Sequence, residues 1–145
     1  MQVANAKETV QRILAFTHAY PKVQGRILTY SFVPSGWVQK VLCVAACEVY
    51  YTGPALGLDR KFHKNTKLIR CSGSHAKIFL FKSQERYLGI VGSLNFVPTG
   101  AFEACVMIKS AEEMKYLWKK LPTYVEKQGK VTQSELEKLL FKAVG

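Results

Sequence analysis

The sequence predicts an α/β fold in a single domain. Segments with a period of two and segments with helical spacing follow one another along the chain, so strands and helices are interleaved. The 145 residues are 48% hydrophobic and 21% charged, the balance of a globular chain long enough to bury one core. No internal repeat, low-complexity tract or linker divides it. The domain is therefore expected to run over residues 1–145, with a core at about 22–122, an N-terminal helix over 5–20 and a C-terminal helix over 132–143.

The elements follow in order. Asn5 to Tyr20 reads as a helix with a narrow stripe of Val10, Ile13, Leu14 and Thr17. Asn5 and Glu8 have the spacing of a capping box, and Pro21 ends the run. Gly25 to Val33 alternates, with Ile27, Thr29 and Ser31 against Leu28, Tyr30 and Phe32, as a strand does. Trp37, Val38, Val41, Leu42 and Ala45 suit a buried helix followed by a strand over Cys47 to Tyr51; a continuous apolar strand fits the same stretch. Gly53, Pro54, Gly57 and Asn65 make residues 52–65 loop-rich. Ala76–Phe81 and Tyr87–Val91 read as hairpin arms around a turn at Ser83–Arg86, and Ala104–Ile108 as a further strand. Glu112–Lys120 is amphipathic, with Met114, Leu117, Trp118 and Leu121 inward, and ends before Pro122. Thr132 and Glu135 form a capping box for a last helix striped by Leu136, Leu139, Leu140 and Ala143.

Charge narrows the function. The chain holds 21 Lys and Arg against 10 Asp and Glu, a net charge of +11. Such a surplus suggests a polyanionic partner, nucleic acid before an anionic membrane surface. Arg60, Lys61, Lys64, Lys67 and Arg70 form the densest basic cluster, opposed only by Asp59. It reads either as a phosphate-contacting surface or as a solvated loop. Asp59 is the one aspartate in the chain, so a carboxylate cluster around two hard cations can hardly be assembled. Cys43, Cys47, Cys71 and Cys105 lie among apolar neighbours without a C-x-x-C pair and read as buried reduced thiols. A zinc set of Cys43, Cys47, His63 and Cys71 fits no common spacing. No metal and no cofactor are expected. No run of 18 apolar residues and no secretory signal are present, so a cytoplasmic protein without stable membrane association is expected.

The chemistry concentrates in His75-Ala-Lys77, Gly92-Ser93-Leu94-Asn95 and Glu103. Side chains two apart on a strand share a face, so His75 pairs with Lys77 and Ser93 with Asn95. A hairpin brings the start of its first arm beside the end of its second. Imidazole, ammonium, hydroxyl and carboxamide can then converge, and Gly92 allows close backbone approach. The imidazole is the nucleophile or acid–base group available near neutral pH. The donors around it carry no negative charge and suit a phosphate whose charge grows under attack. Glu103 is a carboxylate able to orient an imidazole.

These residues resemble the phospholipase D superfamily, whose signature is H-x-K-x4-D followed by G-S-x-N. The likeness extends to Arg26–Val33, to Trp37–Ala46 with Cys47–Tyr51, to the strand opened by Glu103, and to Glu112–Lys120. It covers about 100 residues of the small single-motif nucleases of that superfamily. Lys82 stands where the family has its aspartate, the step from Asn95 to Glu103 is shorter than in those relatives, and segment 52–65 is short where they place another helix. The resemblance implies a mixed β-sheet flanked by helices, and catalytic roles for His75, Lys77, Ser93, Asn95 and Glu103. It also implies a metal-independent phosphodiesterase or endonuclease working through a phosphohistidine. The family uses two H-x-K motifs per active site and this chain has one, so a homodimer joined at the site is implied. The expected substrate is nucleic acid, DNA before RNA, cut with low sequence specificity, with Arg60, Lys61, Lys64, Lys67, Arg70 and Lys82 as binding cations. Two alternatives fit the same residues: a fold that binds nucleic acid with its catalytic centre decayed, and a phospholipid-acting enzyme.

Overall fold

Local signals set the first helix. In the computed structural model, which describes residues 3–56, 65–71, 76–98 and 103–128, a short strand β1 (Val3–Ala4) leads into α1 (Ala6–Ala19). The Asn5 side chain accepts from the Glu8 amide at 2.8 Å and the Glu8 carboxylate accepts from the Asn5 amide at 3.3 Å, the reciprocal box expected from the sequence. Thr9, Ile13 and Thr17 form its buried line, and the Thr17 hydroxyl returns a hydrogen bond to Ile13 O. Then follow β2 (Gln24–Thr29), α2 (Trp37–Val44), β3 (Ala46–Tyr51), β4 (Lys67–Arg70), β5 (Lys77–Ser83), β6 (Arg86–Gly92), β7 (Cys105–Met107) and α3 (Ala111–Gln128).

The strands form one mixed sheet in the order β1-β7-β6-β5-β2-β3-β4. β2, β3 and β4 are parallel to one another; the remaining pairings are antiparallel. α1 and α2 cover one face, over Ile13, Ile27, Val38, Val41, Phe79 and Phe81. α3 covers the other, over Leu28, Ile78, Leu80, Met114, Leu117 and Leu121. With both faces covered, alternate residues of β2 and β5 are buried on opposite sides. The α/β class and the mixed, helix-flanked sheet are thus as the sequence predicts. The run from Trp37 resolves as helix then strand.

Four expectations change. Helix α3 does not stop before Pro122 but continues to Gln128. Proline has no N–H to give the carbonyl four residues back, here that of Trp118. The Arg26 guanidinium supplies the missing donor: Nη1 donates to Trp118 O, and the same guanidinium lies 4.3 Å over the Trp118 ring. Continuing the helix also buries Leu121 and Val125. Second, Lys67–Arg70, just past the loop-rich 52–65 and given no element by the sequence, forms β4 in parallel register with Glu48–Tyr51. Third, Val3–Ala4, to which the sequence assigns no element, pairs as β1 with β7. Fourth, Cys43 is exposed, on the outer side of α2, whereas Cys47, Cys71 and Cys105 are buried thiols. The capping box at Thr132 and the helix at 132–143 lie outside the described residues.

Candidate active site

The parallel strands β2, β3 and β4 end where β5 begins and β6 ends, so one edge of the sheet collects their termini. The pairings Lys77↔Gly92, Thr29↔Tyr51 and Tyr51↔Arg70 lie on that edge, and Leu28↔Ile78 sets Thr29 beside Lys77. Lys77 therefore opens β5 between the end of β6 and the end of β2. No ion pair engages it among the described residues.

Segment 93–97 crosses over this edge from β6 to β2. Leu94 and Phe96 anchor it in the core, fully buried. Phe96 stacks on Phe32 at 5.6 Å and meets Trp37 and Phe79 edge-on at 5.3 and 5.8 Å. The Trp37 indole N–H donates to Val97 O at 3.0 Å. The polar residues of the G-S-x-N run turn to opposite sides of Lys77. On the β7 side, Ser93 Oγ donates to the Glu103 carboxylate and accepts from Ala104 N at 3.0 Å. On the β2 side, Asn95 Oδ1 accepts from Tyr30 N at 3.0 Å, Ser31 N at 3.2 Å and the Thr29 hydroxyl at 3.1 Å. Two backbone N–H groups aimed at one atom identify it as the amide oxygen. The Asn95 NH₂ is then left as a donor beside Lys77.

Ser93 Oγ thus lies against the Glu103 carboxylate, with the Ala104 carbonyl as a second acceptor at 3.4 Å. Gly92 does permit a close approach, but of β7: a Cβ there would collide with Ala104 O and lie 2.6 Å from Cys105 Cα. Thr29 is a site residue that sequence reasoning missed. Its fully buried hydroxyl accepts from Phe96 N at 2.9 Å and ties the crossing segment to β2. In the sequence it reads as one more residue of an alternating strand.

The remaining candidates separate. His75, Arg60, Lys61 and Lys64 lie outside the described residues, as does His63 of the zinc set. Arg70 ends β4 on the same edge as Lys77, while Lys67 begins β4 at the opposite edge, beside Arg26, Glu48 and Trp118. Lys82 lies five residues along β5 from Lys77, about 17 Å at roughly 3.4 Å per residue, and on the other face. Its ammonium sits 5.7 Å from the Tyr87 ring. It is not brought together with the other candidates. Among the described residues, no three His, Cys, Asp or Glu side chains are grouped to hold a metal ion. Nor is any described helix long and apolar enough to cross a membrane. Burial pushes the Cys47 thiol up to about 12. Burial likewise raises Cys71, opposed by a hydrogen bond with Thr52 and the charge of Arg70.

No protein-family model matches the sequence. No curated protein matches it either. Solved structures do. Nuc from Salmonella typhimurium, a phospholipase D family member, superposes with a TM-score of 0.57 at 15% identity, over 81% of this chain and 88% of Nuc. Polyphosphate kinase from Porphyromonas gingivalis gives 0.61 at 10% identity, over 87% of this chain. A mutant of yeast tyrosyl-DNA phosphodiesterase gives 0.51 at 10% identity, over 72% of this chain. The chain spans only 23% of the kinase and 30% of the phosphodiesterase, but most of Nuc. These superpositions show that the chain shares the fold of Nuc, a phospholipase D family member, and of domains in the other two.

Proposed function

We propose that the chain is a metal-independent phosphodiesterase that cleaves nucleic acid, DNA before RNA, with low sequence specificity, at a site completed in a homodimer. The observation that carries this is the placement of Lys77 between the Asn95 amide and the Ser93–Glu103 pair at one sheet edge, in a fold shared with a phospholipase D family member. Two solved neighbours support phosphodiester chemistry by what they are, Nuc and a tyrosyl-DNA phosphodiesterase. The +11 charge supports a polyanionic substrate. Lys82 does not speak against catalysis, because the motif's aspartate position lies at the far end of β5 from Lys77.

In this reading two copies of His75 face one phosphodiester. One neutral imidazole forms a P–N bond as the P–O bond to the leaving group breaks. The partner's imidazolium gives its proton to that leaving oxygen. The partner imidazole, now neutral, takes a proton from water; the oxygen attacks phosphorus and the P–N bond breaks. Lys77 and the Asn95 NH₂ donate to the non-bridging oxygens, whose charge grows in both transition states. Glu103, oriented by Ser93, is available to the second nitrogen of an imidazole. Labelled single- and double-stranded oligonucleotides incubated in EDTA test the reading. Wild type is expected to cut, and His75→Ala and Lys77→Ala to lose at least a hundredfold in rate while still binding. Activity abolished by EDTA and restored by Mg²⁺ would overturn it.

A further inference from the structure

The mechanism uses one end of the edge row. The other end is Arg70, and it is held in a defined pose. Its guanidinium stacks on the Tyr51 ring at 4.7 Å, and Nη1 donates to Thr52 O at 3.2 Å and Gly53 O at 3.5 Å. Nε and Nη2 have no hydrogen-bond partner among the described residues and belong to an exposed side chain. The carbonyls that hold it are themselves fixed. Thr52 N donates to Thr29 O at 3.3 Å and Gly53 N to Tyr30 O at 2.6 Å. Gly53 packs so closely on the Tyr30 ring that a Cβ would lie 2.6 Å from it. The Tyr30 amide is in turn bonded to Asn95 Oδ1. One hydrogen-bonded chain thus runs from the catalytic asparagine to Arg70.

Register fixes how the two cations relate. Arg70 is opposite Tyr51, Tyr51 opposite Thr29, and Thr29 beside Lys77, so all four side chains point to the same face of the sheet. The backbones of Lys77 and Arg70 are three strand spacings apart, about 14 Å at roughly 4.8 Å each. The Nε–Nη2 edge, without a partner among the described residues and preset by stacking and two carbonyls, matches a phosphate's paired oxygens better than a flexible lysine does.

Resting on the nuclease reading, we infer that Arg70 on its Tyr51 platform is a subsite for a second phosphate of the same strand, flanking the one that is cleaved. The substrate class is then a polynucleotide laid along the sheet edge from Lys77 toward β4. Mononucleotide esters and single aryl phosphodiesters would not reach the subsite.

Two measurements test this. The first is binding of a fluorescein-labelled thymidine hexanucleotide in EDTA, by anisotropy across a salt series. Arg70→Ala is expected to lose at least fivefold in affinity and to lower the log–log salt slope by about 0.7, the value for one phosphate contact on a single strand. Arg70→Lys, which keeps the charge without the fork, should fall between. Lys120→Ala removes an equal charge from the exposed surface of α3, on the other face, and should change affinity less than twofold. The second measurement is hydrolysis of bis(p-nitrophenyl) phosphate, expected to be equal in wild type and Lys120→Ala. The subsite is overturned if Arg70→Ala loses no more affinity than Lys120→Ala, or if wild type does not bind the hexanucleotide. If Arg70→Ala loses affinity as expected while wild type hydrolyses no diester at all, the subsite stands and the nuclease reading falls.

Discussion

In the proposed mechanism Asn95 serves both structure and chemistry. Its oxygen accepts from the Tyr30 and Ser31 amides, and its nitrogen is the group proposed to meet substrate. The two functions separate by substitution. Asn95→Ala leaves the Tyr30 and Ser31 amides without their acceptor and should cost about 1–3 kcal/mol in urea unfolding. Asn95→Asp keeps the acceptor, should fold with wild-type stability, and should lose phosphodiester hydrolysis because a donor becomes an anion. Equal stability of both variants would contradict the assignment. The motif spacing singled out Asn95 in the sequence. It could not show that Ser93 and Asn95 serve opposite sides of Lys77, because that depends on a turn after β6 which the period-two rule does not describe. The cysteines carry a second residue-scale prediction. Cys43 should react rapidly with a thiol reagent in the native protein, and Cys47, Cys71 and Cys105 only on unfolding. The Cys47 thiol is raised from about 9 to about 12 in the fold. Below pH 9 both folded and unfolded chains keep the proton, and the contribution to stability is constant. Between pH 9 and about 12 the unfolded chain ionises first, so stability falls as pH rises. Unfolding followed across that window should show a shallower decline in Cys47→Ala than in wild type.

At the scale of elements, Pro122 is the instructive case. A proline after an amphipathic run is ordinarily a stop, and nothing local announces that α3 continues. The helix passes it because an arginine from β2, 92 residues away in sequence, donates to the freed carbonyl of Trp118. This makes a double-mutant prediction. Arg26→Ala should destabilise the protein by about 1–3 kcal/mol, since it leaves the Trp118 carbonyl without its donor and Glu48 without its ion-pair partner. In a Pro122→Ala background, residue 122 itself can donate to Trp118 O. The cost of removing Arg26 should then shrink by on the order of 1 kcal/mol. Additive effects in chemical denaturation would show that the two residues are not linked. Elements with short-range signals, such as the Asn5–Glu8 cap and the hairpin turn at Gln84–Glu85, were legible within a residue or two. β4 was not: four residues flanked by lysine and arginine look like a basic loop until β3 pairs with them.

Across the whole molecule, function depends on which strand termini share an edge, and that depends on pairings between distant segments. β2 joins β5 across more than fifty residues and β1 joins β7 across about a hundred. No periodicity encodes such partners. The phospholipase D-like signature carried them implicitly, and the superposition on Nuc accords with it. The strand order divides the basic cluster of the sequence. Arg70 and Lys77 lie at one edge, Lys67 and Lys82 toward the opposite one. A chain with one H-x-K motif is expected to elute from a sizing column as a dimer, and His75→Ala to do the same. The central claim is that His75 attacks phosphorus and is covalently phosphorylated without help from a metal. Its most direct test is mass spectrometry of protein quenched in denaturant at neutral pH during turnover of an oligonucleotide in EDTA. The account expects a phosphoryl-linked nucleotide on His75, absent from His75→Ala. Turnover in EDTA with no adduct on His75, or undiminished turnover in His75→Ala, would contradict it.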